Sequence, residues 1–201
     1  MSNSQEIKEK DPMREDILKG ARELFERFGF KKTTMEDIAR QVGKSKSALY
    51  YYYKTKEEIF EAMVLADLDQ QFNIIAAAVK KEEMANKKFI AFFSIMLADV
   101  KEKANKFSIF KADLYENHFF IDSILKQRDS KIEEFIKDIL ILGISQQQIK
   151  MMNTADMTLW AKTVNLTLKA LGNKLFLDDD FMISDSQIGF LADSFFNGIC
   201  H

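Results

Sequence analysis

Thr33 to Lys56 read TTMEDIARQVGKSKSALYYYYKTK, and this stretch decides the fold. It predicts two short helices joined by a tight turn. Thr34 is an N-cap, and Asp37 three residues later completes a variant of the capping box. Ile38, Ala39 and Val42 give the first helix one apolar side. Gly43 stands where the helix must end and the backbone turn, which suits a residue tolerant of positive φ. Ser45 caps the next helix, and Leu49 returns an apolar side chain to the same small core. The spacing of Ala39, Gly43 and Leu49 is that of a helix-turn-helix: close helix crossing, turn, lock.

The polar residues say what such a unit would bind. Between Lys31 and Lys56 there are seven basic residues (Lys31, Lys32, Arg40, Lys44, Lys46, Lys54, Lys56) and two acidic ones (Glu36, Asp37), a local charge of +5 in a chain whose net charge is −2. A local excess of this kind on a presented helix is an electrostatic footprint for phosphate. The recognition helix is expected over Ser45 to about Tyr52, with its N-terminal residues entering the major groove. Lys46, Ser47 and Ala48 are placed for base edges: Lys46 to guanine, Ala48 to a thymine methyl. Tyr50 and Tyr51 lie beside the DNA-facing surface, while Tyr52 and Tyr53 follow Leu49 into the core. Thr34 and Lys56 sit at helix N-termini, where backbone N–H groups attract phosphate oxygens. Lys44 and Lys54 are further phosphate candidates.

From Ile17 to Phe60 the chain resembles the TetR family of bacterial transcriptional regulators. The resemblance is carried by ILKGARELFERFGF and TTMEDIARQVGKSKSALYYYYKTKEEIF. It departs mildly at Lys44, usually apolar in that family, and at Tyr53, usually Phe. The resemblance implies that Tyr50 touches phosphate and Tyr51 phosphate or base. It also implies a C-terminal domain that holds an effector between helices and dimerises through its last two helices.

The whole chain fits that frame. At 201 residues with 47% apolar side chains there is ample core, and one proline with seven glycines argues against a turn-rich β fold. The expected class is all-α: an N-terminal three-helix helix-turn-helix domain followed by a larger helical ligand-binding and dimerisation domain, about nine helices in total. The expected division is a flexible tail at 1–10, a DNA-binding domain at 11–56 and an effector and dimerisation domain at 57–201. Asp11-Pro12 opens a first helix that Gly29 ends. Thr55 caps, and Glu58 reaches back to open, a fourth helix running to about Lys81, a lever between the domains. Further helices are expected over 86–103, 108–116, 122–142 (broken by Gly143), 154–176 and 184–198, with a turn at 145–151. A polar N-terminus, the lack of a membrane-spanning apolar run and a single Cys200 together predict a cytoplasmic protein with no membrane partner.

Fourteen of the 18 phenylalanines follow Phe60. Adjacent pairs such as Phe92-Phe93 and Phe119-Phe120 point to opposite sides of a helix, more aromatic surface than one small core needs. Phe72, Phe89, Phe92, Phe93, Met96, Phe107, Phe110, Phe119 and Trp160, with Tyr115 and His118 as polar groups, are therefore candidates to line a site for a small hydrophobic effector. Asp113, Asn117 and Asn165 are further polar candidates. The resemblance places the homodimer interface on two stripes: Leu159, Thr163, Leu166, Ala170 and Leu171 on one helix, Ile188, Leu191, Ala192, Phe195 and Ile199 on the next. No catalytic constellation is present: His118, His201 and Cys200 lack a positioned partner, and Asp178, Asp179, Asp180 and Asp185 lack calcium-loop spacing. No metal or cofactor is expected, and no enzyme. The expected function is a one-component regulator, a repressor released from a palindromic double-stranded DNA operator by its effector. The alternative is a helical small-molecule or lipid binding protein with a vestigial helix-turn-helix.

Overall fold

The computed structural model describes residues 11–106 and 118–200, apart from the side chains at 103–106, 118–125 and 127. These residues form eight helices: α1 (Pro12–Phe28), α2 (Met35–Gln41), α3 (Lys46–Tyr52), α4 (Lys56–Lys80), α5 (Ala85–Lys106), α6 (His118–Ser145), α7 (Thr154–Leu177) and α8 (Asp185–Asn197). The architecture is all-α. The helix expected at 108–116 lies outside the described residues. No helix among those described is long and apolar enough to cross a membrane. The chain divides into two compact units, residues 1–66 and 67–201, so α4 carries residues of both.

The first unit is closed by local rules that the sequence states openly. Asp11 caps α1 through Met13 N–H at 2.9 Å, with Pro12 at the first helical position. Ile17, Ala21 and Phe25 form the buried stripe of α1. Phe25, Phe30 and Phe60 then meet as a ring cluster with centroids 5.3–6.0 Å apart, tying α1, the following loop and α4 together. Thr55 caps α4 by accepting from Glu58 N–H at 3.1 Å. The Glu58 carboxylate accepts from Lys54 N–H at 2.6 Å, one residue ahead of the cap itself.

The second unit is built around α5, which packs against α6, α7 and α8. Phe89, Phe92 and Phe93 are all fully buried there. Phe92 meets Phe135 of α6 at 5.6 Å, Phe93 meets Phe195 of α8 at 5.8 Å, and Phe89 meets Trp160 of α7 at 5.1 Å. The adjacent Phe92-Phe93 pair therefore does fit one core, against expectation. A helix enclosed by three others has two buried sides.

Two boundaries also differ from the sequence expectation. The helix expected from Asp122 starts at His118, and it does not break at Gly143 but runs on to Ser145. A Cβ at Gly143 would lie 3.2 Å from Ile149 Cδ1 and 3.3 Å from Ala85 Cβ, so this glycine serves close packing and not a turn. The turn comes later, at Gln147, whose φ is 57°. Beyond it, Ile149 pairs with Cys200 in an isolated antiparallel bridge. The N-terminus of α5 is capped from this distant turn: Gln146 Oε1 accepts from Ala85 N–H at 2.9 Å, and Gln148 Oε1 from Asn86 N–H at 3.1 Å.

Candidate nucleic-acid interface

Each part of the α2–α3 unit follows from its residues. At the start of α2 the Thr34 hydroxyl accepts from Asp37 N–H at 3.2 Å, and the Asp37 carboxylate accepts from Thr34 N–H at 3.1 Å, a reciprocal capping box. The Thr34 hydroxyl also donates to that carboxylate at 2.7 Å, and with the Thr34 N–H and nearby Arg40 it holds the Asp37 carboxyl below its usual range. Ile38 and Ala39 are buried. Gly43 has φ 66°, and Lys44 N–H donates to Ala39 carbonyl at 2.9 Å to close the turn. The Ser45 hydroxyl accepts from Ala48 N–H at 3.2 Å and starts α3, which Leu49 anchors in the core.

What α3 presents is decided by that anchor. Tyr53 is 5% exposed and Tyr51 78%, two residues apart, while Tyr50 is exposed and Tyr52 half-buried. The Tyr53 ring is covered by the Arg14 guanidinium at 5.1 Å, and Tyr52 meets Tyr51 edge-on at 5.1 Å. Lys44, Ser45, Lys46 and Ser47 are exposed, and Ala48 is half-buried. Lys46 reaches Glu36 of α2 at 3.7 Å. A pair this exposed is worth little, so the ammonium is free to exchange its partner for a base or phosphate. Lys54 Nζ donates to the Tyr50 carbonyl at 2.8 Å and so closes the C-terminal end of α3.

Lys56 differs from its expected role as a phosphate contact. Its ammonium donates to the carbonyls of Phe30 at 2.7 Å, Thr33 at 3.0 Å and Lys31 at 3.4 Å, and lies 4.4 Å above the Phe30 ring. A lysine has three N–H donors, and all three are used. Lys56 holds the α1–α2 loop against the start of α4. The exposed basic side chains of this surface are Lys44, Lys46 and Arg40 on the helix-turn-helix itself, with Lys31 and Lys32 before it and Lys54 after it.

In the second unit the expected effector residues scatter. Phe89, Phe92 and Phe93 are interior packing. Phe72 and Trp160 are half-buried, Phe72 edge-on to Phe135 at 5.3 Å and under the Lys131 ammonium at 4.3 Å. Phe107, Phe110 and Tyr115 lie outside the described residues, as do Asp113 and Asn117, and so do the side chains of His118, Phe119 and Phe120. An open groove of about 280 Å³ between α4, α5 and α6 is lined by Ala76, Val79, Lys88, Phe135, Asp138 and Leu142 among others, and none of the expected effector residues borders it.

One polar cluster within this unit went unread in the sequence. Arg128 of α6 is largely buried, with Nη1 donating to Oε1 of buried Gln71 at 3.1 Å and Nη2 at 3.1 Å from Met96 Sδ. Its neighbour Asp129 accepts from Asn165 Nδ2 and Lys169 Nζ, both at 3.0 Å. A signal was present: Arg128 stands four residues after Ile124 and four before Ile132, within the apolar stripe of the helix.

The two expected dimer stripes fare differently. On α7, Leu159 is 67% and Leu166 64% exposed, with Thr163 and Ala170 exposed between and beyond them and Leu171 half-buried. On α8, Ile188 and Ala192 face inward and are fully buried with Phe196, and Leu191, Phe195 and Ile199 are half-buried against the same core. That expected stripe is the helix's core face. The large apolar side chain α8 exposes is Phe190, at 70%.

The fold and this surface define an all-helical protein with an N-terminal helix-turn-helix. Residues 17–63 match the family of bacterial regulatory proteins, tetR family. The chain is 31% identical over 91 residues to the biofilm operon icaADBC HTH-type negative transcriptional regulator IcaR of Staphylococcus aureus, covering 45% of this chain and 49% of that protein. It is 36% identical over 61 residues to the HTH-type transcriptional regulator YfiR of Bacillus subtilis, 30% of each chain. The chain thus spans about half or less of the length of the curated relatives it matches. Over nearly its full length it shares its fold with the crystal structure of a transcriptional regulator from Cytophaga hutchinsonii, with TM-score 0.73, 25% identity, and coverage of 95% of this chain and 100% of that one. A TetR/AcrR-family regulator from Thermobifida fusca has TM-score 0.67 at 20% identity, covering 94% and 98%.

Proposed function

We propose that the chain is a DNA-binding transcriptional regulator of TetR type, acting as a homodimer in the cytoplasm on a palindromic operator. The observation that carries this reading is α3. Its apolar side is sunk through Leu49, its N-terminal end and outer side offer Lys46, Ser47, Tyr50 and Tyr51 to solvent, and the surrounding segment carries +5. Lys46 and Ser47 read base edges. Tyr50, Tyr51, Lys44 and the Thr34 cap hold phosphate. A single helix-turn-helix reads only a few base pairs, so two copies related by a two-fold axis are needed. Their interface uses the exposed α7 stripe of Leu159, Thr163, Leu166 and Ala170, with Phe190 taking the place first given to Ile188 and Ala192 on α8.

Residues 11–56 serve DNA and residues 57–201 serve dimerisation and a small, mainly apolar or aromatic effector. The protein represses, and effector binding favours a dimer in which the two recognition helices no longer match successive major grooves, about 34–36 Å apart. The helix α4, which runs through both units, transmits the change. The relatives named above as transcriptional regulators, IcaR as a negative one, agree with this reading. A gel-shift assay against the promoter beside the protein's own gene tests it. A discrete retarded complex that survives excess unrelated DNA is expected. No retardation at micromolar protein would reject the reading.

A further inference from the structure

The guanidinium of Arg128 has one edge that the protein does not satisfy. Its Nε is fully buried and has no hydrogen-bond acceptor among the described residues. Nη1, which is not on the Nε–Nη2 edge, is taken by Gln71 Oε1. Among the described residues Nη2, which shares an edge with the Nε–H, meets only the thioether of Met96 at 3.1 Å, a weak acceptor. Among the described residues five donors are thus served by one amide oxygen and one sulfur. Leaving a buried charged donor unmatched is costly, and few native groups are left so.

The neighbouring carboxylates do not fill this edge. Asp129 is held by Asn165 and Lys169, and Asp69 by Lys131 at 3.2 Å. Together with Asp99 they act on Arg128 through the field, without an ion pair to it among the described residues. Burial pushes the guanidinium below its ordinary value, and these three acids partly offset the shift. Met96 lies against the guanidinium, and one turn back along α5 Phe92 packs on Phe135.

We propose that the Nε–Nη2 edge of Arg128 anchors a carboxylate on the effector, so that the effector is an apolar monocarboxylic acid. A carboxylate matches that edge with two parallel N–H···O bonds, and the apolar body is that of the effector proposed for this unit. Gln71 fixes the guanidinium through Nη1, and the carboxylate takes the place of the weak Met96 contact at Nη2. The inference rests on the effector-responsive reading of the second unit and names the chemistry of its ligand.

The test is calorimetric binding of two acid and alcohol pairs to the full chain: dodecanoate against dodecan-1-ol, and 2-naphthoate against 2-naphthol. Wild type is expected to bind at least one acid about tenfold or more tightly than its alcohol, the scale of a charge-assisted bidentate bond. Arg128→Met is expected to weaken the acid about tenfold or more and to leave the alcohol within about twofold. Should circular dichroism show that Arg128→Met does not fold, Arg128→Lys carries the test, because it keeps the charge and loses the two-donor edge. Its acid affinity is expected to fall severalfold with the alcohol unchanged. The proposal is overturned by a wild type that binds no acid or does not prefer one, by a folded variant that keeps the preference, or by equal loss of acid and alcohol. Operator binding by the same preparation without ligand is read separately. Its loss would count against the regulator reading and not against the acid site.

Discussion

Two lysines ten residues apart on the basic segment do different work. Lys46 points into solvent from the first residue of α3, held only by an exposed pair with Glu36. Lys56 spends its donors on three backbone carbonyls of the α1–α2 loop. Lys46→Ala is therefore expected to relax sequence preference at one operator position, at a cost of roughly 1–3 kcal/mol on the preferred site, with thermal stability unchanged. Lys56→Ala leaves part-buried carbonyls without a donor and is expected to cost about 1–3 kcal/mol of folding stability. Calorimetric unfolding alongside binding to a panel of operator variants separates the two. Parallel loss on all operators for Lys46→Ala, or an unshifted melt for Lys56→Ala, would contradict these roles. Lys46 was legible in the sequence because its place follows from counting along a capped helix. The role of Lys56 was not, because its partners are main-chain oxygens 23 to 26 residues away, and no side-chain pattern marks them.

At the scale of the element, a helix's fate depends on how many neighbours enclose it. Helix α5 packs chiefly against three others, so Phe92 and Phe93 are both interior. Phe92→Ala and Phe93→Ala are each expected to destabilise the protein by about 3–5 kcal/mol, as filled core positions do. A loss well below that in thermal unfolding would mean that they face a void. Helices α7 and α8 make the contrast. Leu166 stands out of the fold, and Ile188 packs inside it. Leu166→Asp is expected to shift sedimentation from dimer to monomer with little change in folding. Ile188→Ala is expected to lose about 2–5 kcal/mol of stability and keep the dimer. The opposite pattern would restore the α8 stripe as interface. The existence of these helices was legible from apolar spacing, and the structure adds a capping box of Ser184 with Gln187 at α8. Which side of α8 faces inward was not, because apolar residues occupy both sides of it. Gly143 misled for a related reason: a glycine that permits a turn and one that permits a close approach look alike until Ile149 and Ala85 are seen against it. The cap of α5 by Gln146 and Gln148 joins residues some sixty positions apart and leaves no local trace.

At the scale of the molecule, the chain combines a net charge of −2 with a +5 segment confined to residues 31–56. That asymmetry was legible at once, since it needs only counting. A net negative remainder beside a +5 segment would steer DNA toward the helix-turn-helix. The second unit was legible as a helical body but not as a site, because a core phenylalanine and a pocket phenylalanine have the same sequence signal. DNA binding through the basic surface must displace counterions from DNA. The direct measurement is fluorescence-anisotropy binding of the wild-type chain to its promoter DNA across a series of potassium chloride concentrations. With about six phosphates contacted per dimer, the slope of log K against log salt is expected near −5. A slope near zero, or no binding at the lowest salt, would contradict it.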